Sequence, residues 1–156
     1  MQFDQLVSLL EANAARFRVL EHPAEGRSDL VAQIRGTAPG QGAKAMLCRS
    51  KDGDPAYALV VLPGDRKLDF KRVAQALGLK KATLASPEEA MAATGCAIGA
   101  IPPFVDGPAL RLVVDPDLVE RFDEIAFNAG RLDRSIVLDS ADYLRIARPL
   151  LHAVSL

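Results

Sequence analysis

A mixed α/β fold, a curved mixed β-sheet flanked by helices, is predicted by three observations. Helix-period segments interleave with short strand-like runs, several neighbouring strands have hairpin-length connections, and Tyr57 to Leu62 is an unbroken apolar run. Interleaving favours parallel strands, whereas hairpins make their partners antiparallel, so both kinds of pairing are expected in one sheet. The unbroken run belongs in the middle of that sheet.

The elements follow in chain order. Phe3, Leu6, Val7 and Leu10 share one helical face, so residues 2–14 read as an amphipathic helix. Phe17, Val19 and the run to Glu21 form a short strand. Pro23 and Gly26 break it before Ser28 caps a helix through Arg35, which Gly36 ends. The glycine-rich stretch 36–42 leads into a strand over 43–49, with Lys44 near its start. Lys51 to Pro55 has hairpin-turn chemistry and pairs that strand with 57–62. After Pro63-Gly64-Asp65, residues 69–77 form a helix with Phe70, Val73, Ala74 and Leu77 inward, stopped by Gly78. Ser86-Pro87-Glu88-Glu89 combines a capping serine, a first-turn proline and a capping-box glutamate, which starts a short helix to about Thr94. Strands recur at 110–114, 124–127 and 135–138, and Ser140 caps a last helix through Ala147. Neither an internal repeat nor a linker interrupts the chain, so residues 1–156 read as one domain.

Composition narrows the function. The 156 residues, 49% hydrophobic and 25% charged, suffice for a core without disulfides or metals. No apolar run approaches the roughly 20 residues of a membrane-spanning helix, and Asp4 stands where a basic leader would begin, so a cytoplasmic protein without membrane partners is expected. Cys48 and Cys96 lie far apart with only His22 and His152 to assist them, so no metal site is expected. A net charge of −1 argues against gripping DNA or long RNA by the backbone, but leaves contact with one RNA end open. Arg66, Lys67, Lys71, Arg72, Lys80 and Lys81 cluster locally, as a basic patch or, the favoured reading, as a solvated helix face. Walker, GxGxxG, HExxH and GxSxG motifs are all absent, which removes support for nucleotide hydrolysis, dinucleotide redox and the commonest peptidase and esterase arrangements.

Several residues are candidates for chemistry. Lys44, near the start of an apolar strand, either reaches solvent or occupies a polar pocket, where its ammonium could hold a phosphate or carbonyl oxygen. The preceding glycine loop favours the second reading by letting a ligand approach the backbone. Gly95 to Phe104 is apolar as well as rich in glycine and proline, which places it near a pocket. Amides beside Gly99 could face a developing oxyanion while Pro102 and Pro103 stiffen the turn, or the segment is a tight connection. Asn128-Ala129-Gly130 serves the same pocket or, favoured on spacing alone, is a plain turn. Cys96 has no base nearby in sequence and reads as packing before nucleophile; His22 reads as a structural hydrogen-bonder before general base.

Taken together, the lysine after the glycine loop, Gly-Cys-Ala-Ile-Gly-Ala-Ile-Pro-Pro-Phe at 95–104 and Glu-Ile-Ala-Phe-Asn-Ala-Gly at 124–130 resemble the YbaK/ProX family. The likeness spans about residues 16–147, including Leu-Asp-Phe-Lys at 68–71 and Leu-Ala-Ser-Pro-Glu-Glu at 84–89. The resemblance implies a curved mixed sheet or partial barrel surrounded by helices. It also implies a stand-alone editing deacylase that strips a small amino acid, serine, threonine or alanine, from mischarged transfer RNA. Lys44 and Gly99 then take the catalytic roles, and Ala100, Ile101, Pro102, Asn128, Gly130 and His22 line the substrate site. The acceptor end of the RNA is the implied partner, an aminoacyl-tRNA synthetase a further candidate, and no cofactor is required. Many relatives carry Ser-Ala-Gly or Ser-Gly-Gly where this chain has Asn-Ala-Gly, a departure that bears on substrate choice. Two competing readings are a non-catalytic module that binds transfer RNA or a synthetase, and a thiol hydrolase using Cys96.

Overall fold

A computed structural model describes all residues, 1–156, as two sheets wrapped by short helices. The first sheet is antiparallel and three-stranded: β1 (Phe17–Glu21), β7 (Arg134–Asp139) and β6 (Glu124–Arg131), in the order β1-β7-β6. The second has five strands. They are β2 (Ala43–Ser50), β3 (Tyr57–Pro63), β4 (Ala82–Leu84), β5 (Arg111–Val114) and β8 (Leu150–Leu151), ordered β4-β2-β3-β5-β8. The β2–β3 and β6–β7 pairs are hairpins, whereas β3–β5 and β5–β8 run parallel, so the expected mixture is present. A parallel bridge between Gly42 and Ala126 ties the edge of β2 to β6 and joins the sheets.

The apolar run of β3 lies at the centre of its sheet because helices and loops cover both faces. Leu59 and Val61 face the larger core with Leu6, Leu10, Phe104, Phe127 and Tyr143. Ala58, Val60 and Leu62 face a smaller core with Val73, Leu77 and Val154. Alternate side chains of one strand thus fill two cores, which is why no polar residue interrupts the run.

Helices α1 (Phe3–Ala12), α2 (Ser28–Arg35), α3 (Phe70–Leu77), α4 (Pro87–Thr94), α5 (Pro116–Arg121) and α6 (Ser140–Ala147) pack around these sheets. The capping box at Ser86 and Glu89 forms, with Ser86 Oγ accepting from the Glu89 amide at 3.1 Å. Other expectations need correction. Ser28 and Ser140 do not cap: the residue before α2 is Arg27, without a side-chain cap, and Asp139 caps α6 through the Asp142 amide at 2.9 Å. Phe70 lies at the exposed edge of α3, whereas Val73 and Leu77 point inward. Asn128-Ala129-Gly130 is no turn. It continues β6, with an irregularity between Asn128 and Arg131 that lets the strand bend.

The loop 95–104 is fastened rather than mobile. Phe104 meets Tyr143 edge-on at 5.2 Å and Phe127 at 6.0 Å, Tyr143 donates its hydroxyl to the Pro103 carbonyl at 2.7 Å, and the Ala100 carbonyl accepts from the Gly130 amide at 2.9 Å. These contacts explain why a connecting segment is so apolar: it is part of the core.

Glu89 has a second task besides capping. The Ser86 amide and the Tyr57 hydroxyl donate to it and Arg49 pairs with it at 2.6 Å; against a smaller opposing effect of burial, these hold its carboxyl down from 4.5 to about 2. Because the folded value is depressed, the stabilisation is present above the unfolded value and disappears as pH falls from about 4.5 towards 2. Thermal melts of wild type and Glu89→Gln should therefore differ at pH 7 and converge across that interval.

Candidate functional site

At the seam between the sheets lies a cleft of about 140 Å³. The edge of β2, from Gly42 to Met46, forms one wall and Ala126, Phe127 and Asn128 of β6 another; Ile98, Gly99 and Ile101 of the fastened loop face Gly26, Ser28, Val31 and Arg35 at α2. Ordinary small-molecule sites span about 300–1,000 Å³, so this one suits a group the size of a small amino acid.

The only charged residues on the lining are Arg35 and Lys44, both cations. Lys44 is half-buried in β2 and donates from Nζ to the Arg66 carbonyl at 2.6 Å. Burial pushes its ammonium below the ordinary lysine range, with nearby Asp65 opposing and Lys67 adding to the shift. The glycine stretch before it is less open than expected. Pro39 to Gln41 forms a 3-10 turn, and a Cβ on Gly40 would lie 2.6 Å from Arg121 Nη2, within the Arg121–Asp65 ion pair. Gly40 therefore serves packing, and Gly42 alone of this stretch lines the cleft.

Gly99 adopts φ +87°, and a Cβ there would sit 3.0 Å from Gly26 Cα and 3.2 Å from its carbonyl oxygen. Two backbones cross in direct contact at this point, and a side chain on Gly99 would force them apart. The Ala100 amide is engaged by the Ala97 carbonyl at 3.0 Å, whereas the amide of Gly99, like those of Ala97, Ile98, Ile101 and Phe104, has no acceptor within the protein.

Behind the lining, one polar network holds these walls together. Asn128 is 5% exposed, and its Nδ2 donates to the carbonyls of Glu25 and Gly99, each at 2.8 Å. Its Oδ1 accepts from Arg35 Nη2 at 3.0 Å. Arg35 also donates through Nε to Ser135 Oγ at 2.7 Å. Ser135 Oγ lies 2.7 Å from His22 Nε2 and 3.1 Å from Asn128 Oδ1, and one hydroxyl proton cannot serve both. His22 Nδ1 faces the Pro23 carbonyl at 2.8 Å and must carry the proton there, so in the neutral imidazole Nε2 accepts from Ser135.

Of the residues expected in the site, Lys44, Gly99, Ile101 and Asn128 line the cleft. His22, Ala100, Pro102 and Gly130 do not. His22 is turned towards buried Ser135, and Ala100 is itself buried. Gly130 backs against the chain start, where a Cβ would meet the Met1 carbonyl at 3.0 Å. Asn128 touches the cleft, but its amide is already satisfied by protein groups, which makes it a brace for the walls. Cys96 is 2% exposed and off the lining, its thiol facing the carbonyls of Met1 and Thr94. Sequence reasoning missed Arg35, although a signal existed: it lies four residues after buried Val31, on the inward stripe of α2. It also missed Gly26, Ser28, Met46 and Ile98.

Asn128→Ala removes the donor from two carbonyls and the acceptor from Arg35, so a loss on the order of 2–4 kcal/mol is expected in urea unfolding. A loss below about 0.5 kcal/mol would mean that the network does not brace the cleft.

Comparison with known proteins agrees with this geometry. The model of the "Aminoacyl-tRNA editing domain" family matches residues 22–146. The "Multifunctional Ser/Thr-tRNA deacylase ProXp-y" of Escherichia coli strain K12 is 52% identical over 146 residues, covering 93% of this chain and 87% of that protein, and the protein of the same name in strain O157:H7 matches equally. Among solved structures, the hypothetical protein APE2540 superposes with a TM-score of 0.87 at 21% identity, over 97% of this chain and 99% of that one. A candidate trans-editing enzyme for prolyl tRNA synthetase superposes at 0.82 with 24% identity, over 98% and 96%, which bears out the expected mixed fold. The family match over most of the chain and the identity to the deacylase lead to one conclusion: the chain belongs to the aminoacyl-tRNA editing domain family.

Proposed function

We propose that this protein is a stand-alone editing deacylase that hydrolyses the ester between a small amino acid and the 3′ end of a mischarged transfer RNA. The observation that carries the reading is the cleft: about 140 Å³, lined by Lys44 and Gly99, with no carboxylate on its walls. Such a volume admits a seryl, threonyl or alanyl group and leaves the nucleotides outside. Serine and threonine are favoured, because the relative that is 52% identical bears the name of a Ser/Thr-tRNA deacylase. The chain acts as a single editing domain in the cytoplasm, with the acceptor end of the RNA as its partner and an aminoacyl-tRNA synthetase as the source of that RNA.

Water attacks the ester carbonyl, either directly or after the adjacent ribose hydroxyl has taken over the acyl group in a transesterification that still leaves an ester. A tetrahedral intermediate forms, the bond to the ribose oxygen breaks, that oxygen regains a proton and the amino acid leaves with a free carboxyl group. The Gly99 amide is available to the developing oxyanion, and Lys44 orients the RNA end. An ester is already activated, so positioning and oxyanion stabilisation account for catalysis without a side-chain nucleophile. Ile101 and the backbone at Asn128 bound the acyl group, while His22, Ala100, Pro102 and Gly130 hold those walls from behind.

Release of amino acid from a panel of mischarged transfer RNAs tests this reading. Seryl and threonyl esters should be hydrolysed by wild type and, after Lys44→Ala, at least about 10-fold more slowly. Inactivity of wild type on the whole panel, with RNA binding retained, would favour a binding module. Cys96→Ala should keep near-normal rates; loss of turnover with unchanged stability would instead support a thiol mechanism.

A further inference from the structure

Arg35 is a cation without a counter-ion. It takes part in no ion pair, and burial, unopposed by any neighbouring charge, lowers its guanidinium to about 10, still protonated at neutral pH. Nε and Nη2 are fixed by Ser135 and Asn128, at 2.7 and 3.0 Å. Nη1 has no partner within the protein and lies beside Gly42, which itself lines the cleft: a Cβ on Gly42 would be 3.8 Å from it. Keeping a largely buried charge unpaired costs stability that a neutral side chain would not.

We infer that Arg35 is a further catalytic residue whose free Nη1 stabilises the negative charge that develops on the ester carbonyl oxygen. The inference rests on the deacylase reading above. The cleft holds an acyl group but not a phosphate beside it, and the bound ester is neutral at its carbonyl. Within that volume the tetrahedral oxyanion is the negative charge that arises before products form. Asn128 connects the two donors, since its Oδ1 holds Arg35 and its Nδ2 holds the Gly99 carbonyl. The guanidinium and the Gly99 amide are therefore set by one rigid group, the preorganisation that makes such donors effective. The same charge repels the substrate's α-ammonium, which directs that group towards the opposite wall.

Two measurements on Arg35→Gln and Arg35→Lys test the role. The first is single-turnover and steady-state deacylation of seryl-tRNA: Arg35→Gln should lower kcat about 100-fold with little change in KM, and Arg35→Lys, which keeps the charge without the fork, should fall between. The second is binding of two conjugates of adenosine 5′-phosphate, one with a neutral 3′-seryl amide and one with an anionic tetrahedral phosphonate in place of the ester carbonyl. Wild type should prefer the phosphonate, and Arg35→Gln should lose that preference while binding the amide as before. Equal weakening of both conjugates would reduce Arg35 to a positioning residue and overturn the inference. So would a preference that survives in Arg35→Gln, or a defect that vanishes when the adenosine 5′-phosphate is removed, which marks a phosphate anchor. Wild-type inactivity on every ester sinks the deacylase reading itself, and is distinguishable from all of these. If Arg35→Gln melts early, Arg35→Lys carries both measurements.

Discussion

The side chain of Asn128 is the constraint on which the cleft depends. It projects from a strand of the three-stranded sheet, yet its hydrogen bonds go to the loop after β1, to the loop before β5 and to the last residue of α2. Three segments distant in sequence are thereby held at separations set by one planar amide. A buried amide with both N–H groups and its oxygen engaged is rigid, whereas the same amide with one partner missing would be a cost to the fold. The position can thus specify the site's geometry without touching substrate through a side-chain hydrogen bond.

Around this brace the two sheets divide the work. The five-stranded sheet supplies the stable body, with β3 filling one core on each face, and lends the site only the open edge of β2. The three-stranded sheet supplies the floor. A single bridge at Gly42 and Ala126 joins their ladders, so the cleft lies where the backbone ladder is thinnest; the larger apolar core holds the sheets together behind it, and polar side chains brace the cleft itself. Lys44 sits at that thin place, which is why a lysine in an apolar strand is neither in the core nor fully in solvent.

Much of the fold was legible in the sequence, and the failures have physical causes. The central position of β3 followed from its unbroken apolar run, and the start of α4 followed from its capping box. Strands β4 and β8, of three and two residues, are too short to display a period. Helix α5 announced itself only by Asp115 before Pro116, a cap signal without the length that usually accompanies one. Asn128-Ala129-Gly130 misled because asparagine and glycine are turn residues in isolation, whereas here a bend in a strand and a buried network use the same chemistry. For the site, Lys44 and the Gly99 loop could be found because composition set them apart. Arg35 could not be singled out by composition, since an arginine in the last turn of a helix is ordinary; its spacing from Val31 hints at the inward face, but only the tertiary structure reveals that it has no counter-ion there.

At the contact between Gly26 and Gly99 the cleft is bounded by main chain against main chain, with no side chain between the two, and the Asn128 amide fastens both segments from behind. Side chains breathe among rotamers on short timescales, but two abutting backbones held by loop hydrogen bonds do not. A wall built in this way acts as a gauge whose position is insensitive to drift in the surrounding side chains. Substitutions along the walls can retune which small acyl group is preferred, while the upper limit on its bulk stays where the two chains meet.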